Sequence, residues 1–194
     1  MTSPLNHAAT EQFFKENRFF GLNPADVRFF QQGVMPSFCA QTGRILLAAP
    51  GELATNPDGH GGPLKALHAS GALKDMRSRG VEIISYFQVD NPIVNFLDPV
   101  FLGLHADSAV SSSEMSSKMV PKANAEEKVG VFTASGAGPR KGRVEIVEYS
   151  DLPADLARAT NPNGSLKFIA GSIAVHIMGV GFVEKLNTDA RFEL

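Results

Sequence analysis

A single cysteine, Cys39, in 194 residues excludes an internal disulfide and a cysteine metal cluster. Basic residues are not in excess: 18 Lys and Arg stand against 20 Asp and Glu, so charge gives no pull toward nucleic acid. No block of like charges marks a disordered tail. The longest apolar run, 168–183, is too short and too rich in glycine for a spanning helix, and it contains His176. Met1-Thr2-Ser3-Pro4 has neither the basic nor the apolar segment of a secretory leader, and no internal repeat is visible. Chemical signatures are missing too. The chain has no His-x-x-x-His pair, no Gly-x-Ser-x-Gly elbow and no Walker-type Gly-Lys-Ser/Thr. These absences lead us to expect one soluble, cytoplasmic domain, long enough to bury a core, with no nucleic-acid or membrane partner.

What is present centres on 56–67, Asn-Pro-Asp-Gly-His-Gly-Gly-Pro-Leu-Lys-Ala-Leu. Gly59, Gly61 and Gly62 flank His60, and without a Cβ they let another group approach the backbone closely. Pro63 suits the first position of a helix. A Gly-rich loop that opens a helix offers backbone N–H groups and the helix dipole to an anion. A loop that simply needs small residues explains the same glycines.

Residues 8–17 read as a helix anchored by Phe13 and Phe14, with Gly21 as the stop. Strands are expected at 27–30, 37–40 and 44–48, the last two forming a hairpin across Gln41-Thr42-Gly43. A helix follows over 64–78, interrupted at Gly71 and stopped by Gly80. Residues 81–89 suit a strand buried on both faces of a parallel sheet. Asp90-Asn91-Pro92 ends that run and leaves an acid at its carboxyl end, where open α/β sheets bind ligands. An Asx turn accounts for the same residues without a ligand. Beyond lie a helix at 98–107, a Ser-rich connector at 108–117, and strands at 129–134 and 143–149 joined by an exposed loop at 135–142. A helix is expected from Ser150 or Asp151 through Thr160, then a strand at 166–170 running into Gly171-Ser172 and a final helix. Strands alternating with helices argue for an α/β fold whose mixed sheet is mostly parallel, with an antiparallel insertion and flanking helices.

The chemistry-bearing residues sketch a nucleotide-like site. Gln31 and Gln32 stand at one expected strand end, Gly59-His60-Gly61 at a helix N-terminus, and Asp90 at another strand end. An amide beside close-approaching backbone can read a base. A strand-end carboxylate suits Mg²⁺, which takes one or two carboxylates plus phosphate oxygens.

Four segments in this order resemble the UDP-sugar pyrophosphorylase family, and its UDP-N-acetylglucosamine branch most. They are Phe29-Phe30-Gln31-Gln32-Gly33-Val34-Met35-Pro36, Pro57-Asp58-Gly59-His60-Gly61-Gly62, Val89-Asp90-Asn91 and Val147-Glu148-Tyr149-Ser150. Arg79-Gly80, Asp98-Pro99-Val100-Phe101-Leu102-Gly103 and Ala170-Gly171-Ser172-Ile173-Ala174-Val175-His176 extend the likeness over essentially the whole chain. The resemblance implies a nucleotide-diphospho-sugar transferase (Rossmann-like) fold and uridylyl transfer from UTP to a sugar 1-phosphate. It places Gln32 on the uracil, Gly59 against the nucleoside and His60 near the sugar phosphate. Asp90 would be the catalytic acid that meets nucleotide and Mg²⁺, and Gly130, Glu148 and Ser172 would line the sugar pocket.

Departures from the family pattern are informative. His60 resembles the glucose-type relatives where the N-acetylglucosamine enzymes carry Asn, and Ser172 replaces a family Asn. The family's Gly-Thr-Arg loop and its phosphate-binding lysines have no counterpart here. Met1-Thr2-Ser3 resembles the end of an internal strand, and Phe192-Glu193-Leu194 stops short of a later lysine. The expectation is therefore a central slice, 1–194, of a catalytic domain that is incomplete at both ends. The resemblance favours formation of UDP-N-acetylglucosamine and pyrophosphate. UTP–glucose-1-phosphate uridylyl transfer, a non-catalytic nucleotide-sugar-binding piece, and a structural piece active only beside a complementary polypeptide remain as alternatives.

Overall fold

The structure, a computed structural model, describes residues 1–136 and 141–189. In chain order the elements are α1 (His7–Glu16), β1 (Val34–Pro36), β2 (Leu47–Ala49), β3 (Glu52–Leu53), β4 (Thr55–Pro57), α2 (Gly62–Ala69), α3 (Ala72–Ser78) and β5 (Ile83–Tyr86). There follow α4 (Pro99–Ala106), β6 (Met115–Pro121), β7 (Val131–Ala134), β8 (Val144–Val147), α5 (Ala154–Ala157), β9 (Ala170–Gly179) and α6 (Val180–Thr188). They divide into two compact units, Met1–Glu82 with Val180–Leu194, and Ile83–Gly179.

In the first unit, α2, α3 and α6 share a core of Ala66, Leu67, Ala72, Leu73, Val180 and Val183, all buried. Gly71 separates α2 from α3 because it takes φ +73°, a left-handed conformation that is cheap only without a Cβ. Arg77 on α3 donates two hydrogen bonds to Glu184 on α6, at 3.0 and 2.7 Å, and Asn187 donates to the Leu64 carbonyl at 3.1 Å. Two short antiparallel pairs complete the unit, β1 with β4 and β2 with β3. The 37–48 hairpin forms through the Phe38–Ile45 bridge, with its regular strand beginning only at Leu47.

The second unit is built around β9, the centre of a five-stranded sheet. β6 runs along one side of β9, from Met115 opposite Met178 to Pro121 opposite Ala170. Because β6 fills that side, β5 and β7 share the other: β5 pairs with residues 176–179, and β7 meets Gly171 through Val131. β8 pairs with β7. Val131, Val175, Ile177 and Met178 form the apolar centre. Asp98 caps α4, accepting from the backbone N–H groups of Val100 and Phe101, and pairs with Lys118 at 2.6 Å. His105 is buried, its Nδ1 2.9 Å from the Ser116 hydroxyl, and burial lowers its pKa from the ordinary value.

The α/β class holds, but every ladder between named strands is antiparallel, and among the described residues parallel pairing appears only at the isolated Thr2–Gln31 bridge. The expected doubly buried strand at 81–89 shortens to Ile83–Tyr86, half-buried throughout, and Val89 is 97% exposed. Its hydrophobicity serves one antiparallel partner rather than two parallel ones. Residues 27–30 form no strand. The helix expected after Gly171 is instead the continuation of β9 to Gly179, where β-branched Ile173, Val175 and Ile177 favour the ladder. The Ser-rich connector ends in β6, and the helix expected through Thr160 is only Ala154–Ala157. Part of the loop expected at 135–142, and Phe192-Glu193-Leu194, lie outside the described residues.

Candidate functional site

In the first unit a groove of about 820 Å³ is lined by Gln31, Gln32, Gly33, Asp58, Gly61, Gly62 and Lys65, among others. The Gln-Gln-Gly segment is placed by its N-terminal neighbour. Thr2 N–H donates to the Phe30 carbonyl and Gln32 N–H to the Thr2 carbonyl, each at 2.9 Å. β1 then pairs with β4, and Asp58 N–H donates to the Gly33 carbonyl at 3.2 Å, bringing the second motif alongside the first. Gln32 Nε2 donates to Asp58 Oδ1 at 3.0 Å. A Cβ at Gly33 or at Gly62 would overlap the Asp58 carboxylate, so both positions must be glycine for this acid to sit where it does. Gly59 and His60 form the exposed turn between Asp58 and Gly61, and Gly59 has φ +74°.

The helix N-terminus that the sequence marks as an anion site thus has an acid of its own packed against its first residue. Asp58 and Lys65 are the charged residues of the groove lining, and sequence alone gives them no role. Lys65 was findable: it lies four residues after Gly61, on the same helix face as the loop, where its ammonium can meet phosphate.

In the second unit Gly130, Glu148 and Ser172 come together. Ser172 N–H donates to the Gly130 carbonyl at 2.8 Å. A Cβ on Gly130 would lie 3.0 Å from Ile146 Cγ2 and 3.3 Å from each Glu148 carboxylate oxygen, so the exposed Glu148 head group stands over a bare backbone. Gly130 is itself buried, as is Gly171, whose own Cβ would press on the Val120 carbonyl at 3.1 Å. Asp90 is exposed in the turn after β5. Tyr86 faces His176 across the ladder, so the chain leaves β5 toward the Gly171–Ser172 end of β9, where β7 takes over that side. Tyr86 stacks on His176 with ring centroids 5.9 Å apart, His176 Nδ1 lies 2.8 Å from the Ser117 hydroxyl, and burial raises the Tyr86 pKa.

Among the described residues no three His, Cys, Asp or Glu side chains gather to hold a metal. Asp90 offers an exposed carboxylate in the turn after β5, and Mg²⁺ takes one or two carboxylates plus phosphate oxygens.

Solved structures of UDP-sugar pyrophosphorylases share this fold. The uridine diphosphate N-acetylglucosamine pyrophosphorylase of Trypanosoma brucei superposes with a TM-score of 0.79 at 28% identity, over 96% of this chain and 36% of its own. The UDP-glucose phosphorylase of the same organism gives 0.73 at 16% identity, over 96% and 40%, a likeness of fold alone. The chain belongs to the UTP–glucose-1-phosphate uridylyltransferase family, whose sequence profile matches residues 1–180. Among relatives, UDP-N-acetylglucosamine diphosphorylase 2 of Arabidopsis thaliana is 39% identical over 187 residues, which is 96% of this chain and 36% of that protein. A Schizosaccharomyces pombe protein that bears the name "Probable UDP-N-acetylglucosamine pyrophosphorylase" is also 39% identical, over 95% and 38%. The chain therefore spans little more than a third of the length of these relatives. Among the described residues no helix is long and apolar enough to cross a membrane.

Proposed function

We propose that these residues form the central part of the catalytic domain of a uridylyltransferase that makes UDP-N-acetylglucosamine and pyrophosphate from UTP and N-acetylglucosamine 1-phosphate. One observation carries it: Gln32, Gly33, Asp58, Gly61 and Gly62 line a single groove, joining an amide that can read a base to bare backbone that can lie against a nucleoside. Gln32 reads the uracil and Gly59 packs on the nucleoside. His60, Gly130, Glu148 and Ser172 attend the sugar phosphate and the sugar.

A phosphate oxygen of the sugar 1-phosphate attacks the α-phosphorus of UTP. The bond to the bridging oxygen breaks, and pyrophosphate leaves with the electron pair. Two anions must meet, so the chain's contribution is alignment and charge compensation rather than covalent catalysis. Asp90 would hold Mg²⁺, which when bound offsets phosphate charge. Lys65 adds a cation on the groove wall. A cytoplasmic setting accords with the solitary Cys39.

Glucose 1-phosphate is the second candidate substrate, favoured by His60 and by Ser172. A serine offers one hydroxyl where asparagine offers both a carbonyl and an amide to an acetamido group. Calorimetric titration with UTP, CTP and ATP tests the nucleotide assignment: preference for UTP, reduced in Gln32→Ala, is expected. Equal affinities for the three would overturn it.

A further inference from the structure

We infer that Asp58 sets the choice of pyrimidine, by holding the Nε2 end of the Gln32 amide so that Oε1 is left as the acceptor offered to the base. The inference rests on the uridine-nucleotide assignment of the groove and adds to it a residue that works through another.

An ionised carboxylate can only accept, so the amide must turn its NH₂ toward Asp58, as the 3.0 Å bond from Nε2 to Oδ1 records. Among the described residues no other side-chain bond competes for that amide. Asp58 is itself fixed. Its carboxylate fills the space left by two absent side chains, at Gly33 and Gly62, and its backbone N–H is tied to the Gly33 carbonyl. Gln32 and Asp58 are both partly buried and both line the groove, so water competes poorly with the bond.

The consequence lies in the base. Uracil carries an N–H at ring position 3, which donates to a carbonyl oxygen. Cytosine has a bare acceptor nitrogen there, and its exocyclic amine is a donor. A carbonyl fixed in place accepts from uracil and faces cytosine acceptor to acceptor. An amide free to rotate would serve cytosine by presenting its NH₂. With Asp58 in place, that half-turn sets the Gln32 carbonyl against a carboxylate, so cytosine leaves an unpaired or repelled polar group whichever way the amide turns. Discrimination of this kind, by a polar group that the wrong ligand leaves unmatched, is the strong kind.

The test is calorimetric titration of UTP and CTP against the wild-type protein, Asp58→Ala and Asp58→Asn. Wild type is expected to favour UTP by about tenfold or more, and Asp58→Ala to bring the two within about threefold. Asp58→Asn keeps an acceptor of the same shape but can also donate, so its ratio falls between the two. It also serves as the reading should the alanine variant fail to fold. General loosening of the groove weakens both nucleotides alike and leaves the ratio unmoved. A wild-type preference that persists unchanged in the folded variants therefore overturns the role of Asp58 while the uridine assignment stands. Absence of any UTP preference in wild type overturns that assignment, and this inference with it.

Discussion

Gly62→Ala isolates the packing on which the nucleotide groove depends. Gly62 opens α2, is buried, and is not among the glycines with positive φ. Backbone conformation therefore does not forbid alanine, and helix propensity alone would credit it with up to about 1 kcal/mol. The added methyl falls where Asp58 Oδ1, Cγ and Oδ2 already are. The carboxylate must swing away, and its bond from Gln32 is lost. A hydrogen bond to a charged group contributes about 1.5–3 kcal/mol. Set against the propensity gain, the net is a loss of about 0.5–2 kcal/mol, or a Tm lower by about 2–4 °C per kcal/mol for a chain of this size. Urea melts of Gly62→Ala, Asp58→Ala and the double variant measure it. Once Asp58 is trimmed the methyl has room, so the double variant should be no less stable than Asp58→Ala. Stabilisation by Gly62→Ala alone, or costs that simply add, would refute the placement of Asp58 against α2.

Other consequences follow from the same structure. Asp90→Ala should leave Tm unchanged, since the side chain is exposed, and lower Mg²⁺-dependent turnover by roughly a hundredfold or more; near-normal turnover would remove Asp90 from the site. The Arg77 hydrogen bond holds the Glu184 carboxyl below its usual pKa, so the pair stabilises above the ordinary value of about 4.3 and that support is lost as pH falls through the lowered folded value. Glu184→Gln should show a shallower loss of Tm than wild type below about pH 4.3. His105 is buried with its pKa lowered by desolvation, so below the ordinary value of about 6.5 the unfolded chain binds a proton that the folded chain refuses. Stability should fall from there down to the depressed folded pKa, and His105→Leu should flatten that slope; an unchanged slope in thermal melts at pH 7 and pH 5 would contradict it.

The sequence is most readable where single residues dictate backbone geometry. Pro63 and the glycines before it mark the start of α2, Gly71 ends that helix, and Asp98 caps α4, all through local effects that no distant partner alters. Strand identity is less readable, because a short apolar run looks alike in a buried helix and a buried strand. The stretch from Gly171 becomes strand because β6 and β5 flank it, contacts made by residues more than fifty positions away. Residues 81–89 suggest a parallel, doubly covered strand for the same reason: hydrophobicity reports burial, and the direction of the partner is not encoded locally. The candidate site divides along this line. Gln32 and Gly59 stand out by residue type and loop chemistry. The role of Asp58 emerges only once Gly33 and Gly62, nearly thirty residues apart, are seen to clear space for one carboxylate.

Pyrophosphate release tests the central claim most directly, measured on the polypeptide as the organism makes it, with UTP, Mg²⁺ and either N-acetylglucosamine 1-phosphate or glucose 1-phosphate. Uridylyl transfer to N-acetylglucosamine 1-phosphate is expected to show the higher kcat/KM, abolished in Asp90→Ala. A higher kcat/KM for glucose 1-phosphate would contradict the choice of sugar, and no UTP-dependent release with either would contradict the uridylyltransferase assignment itself.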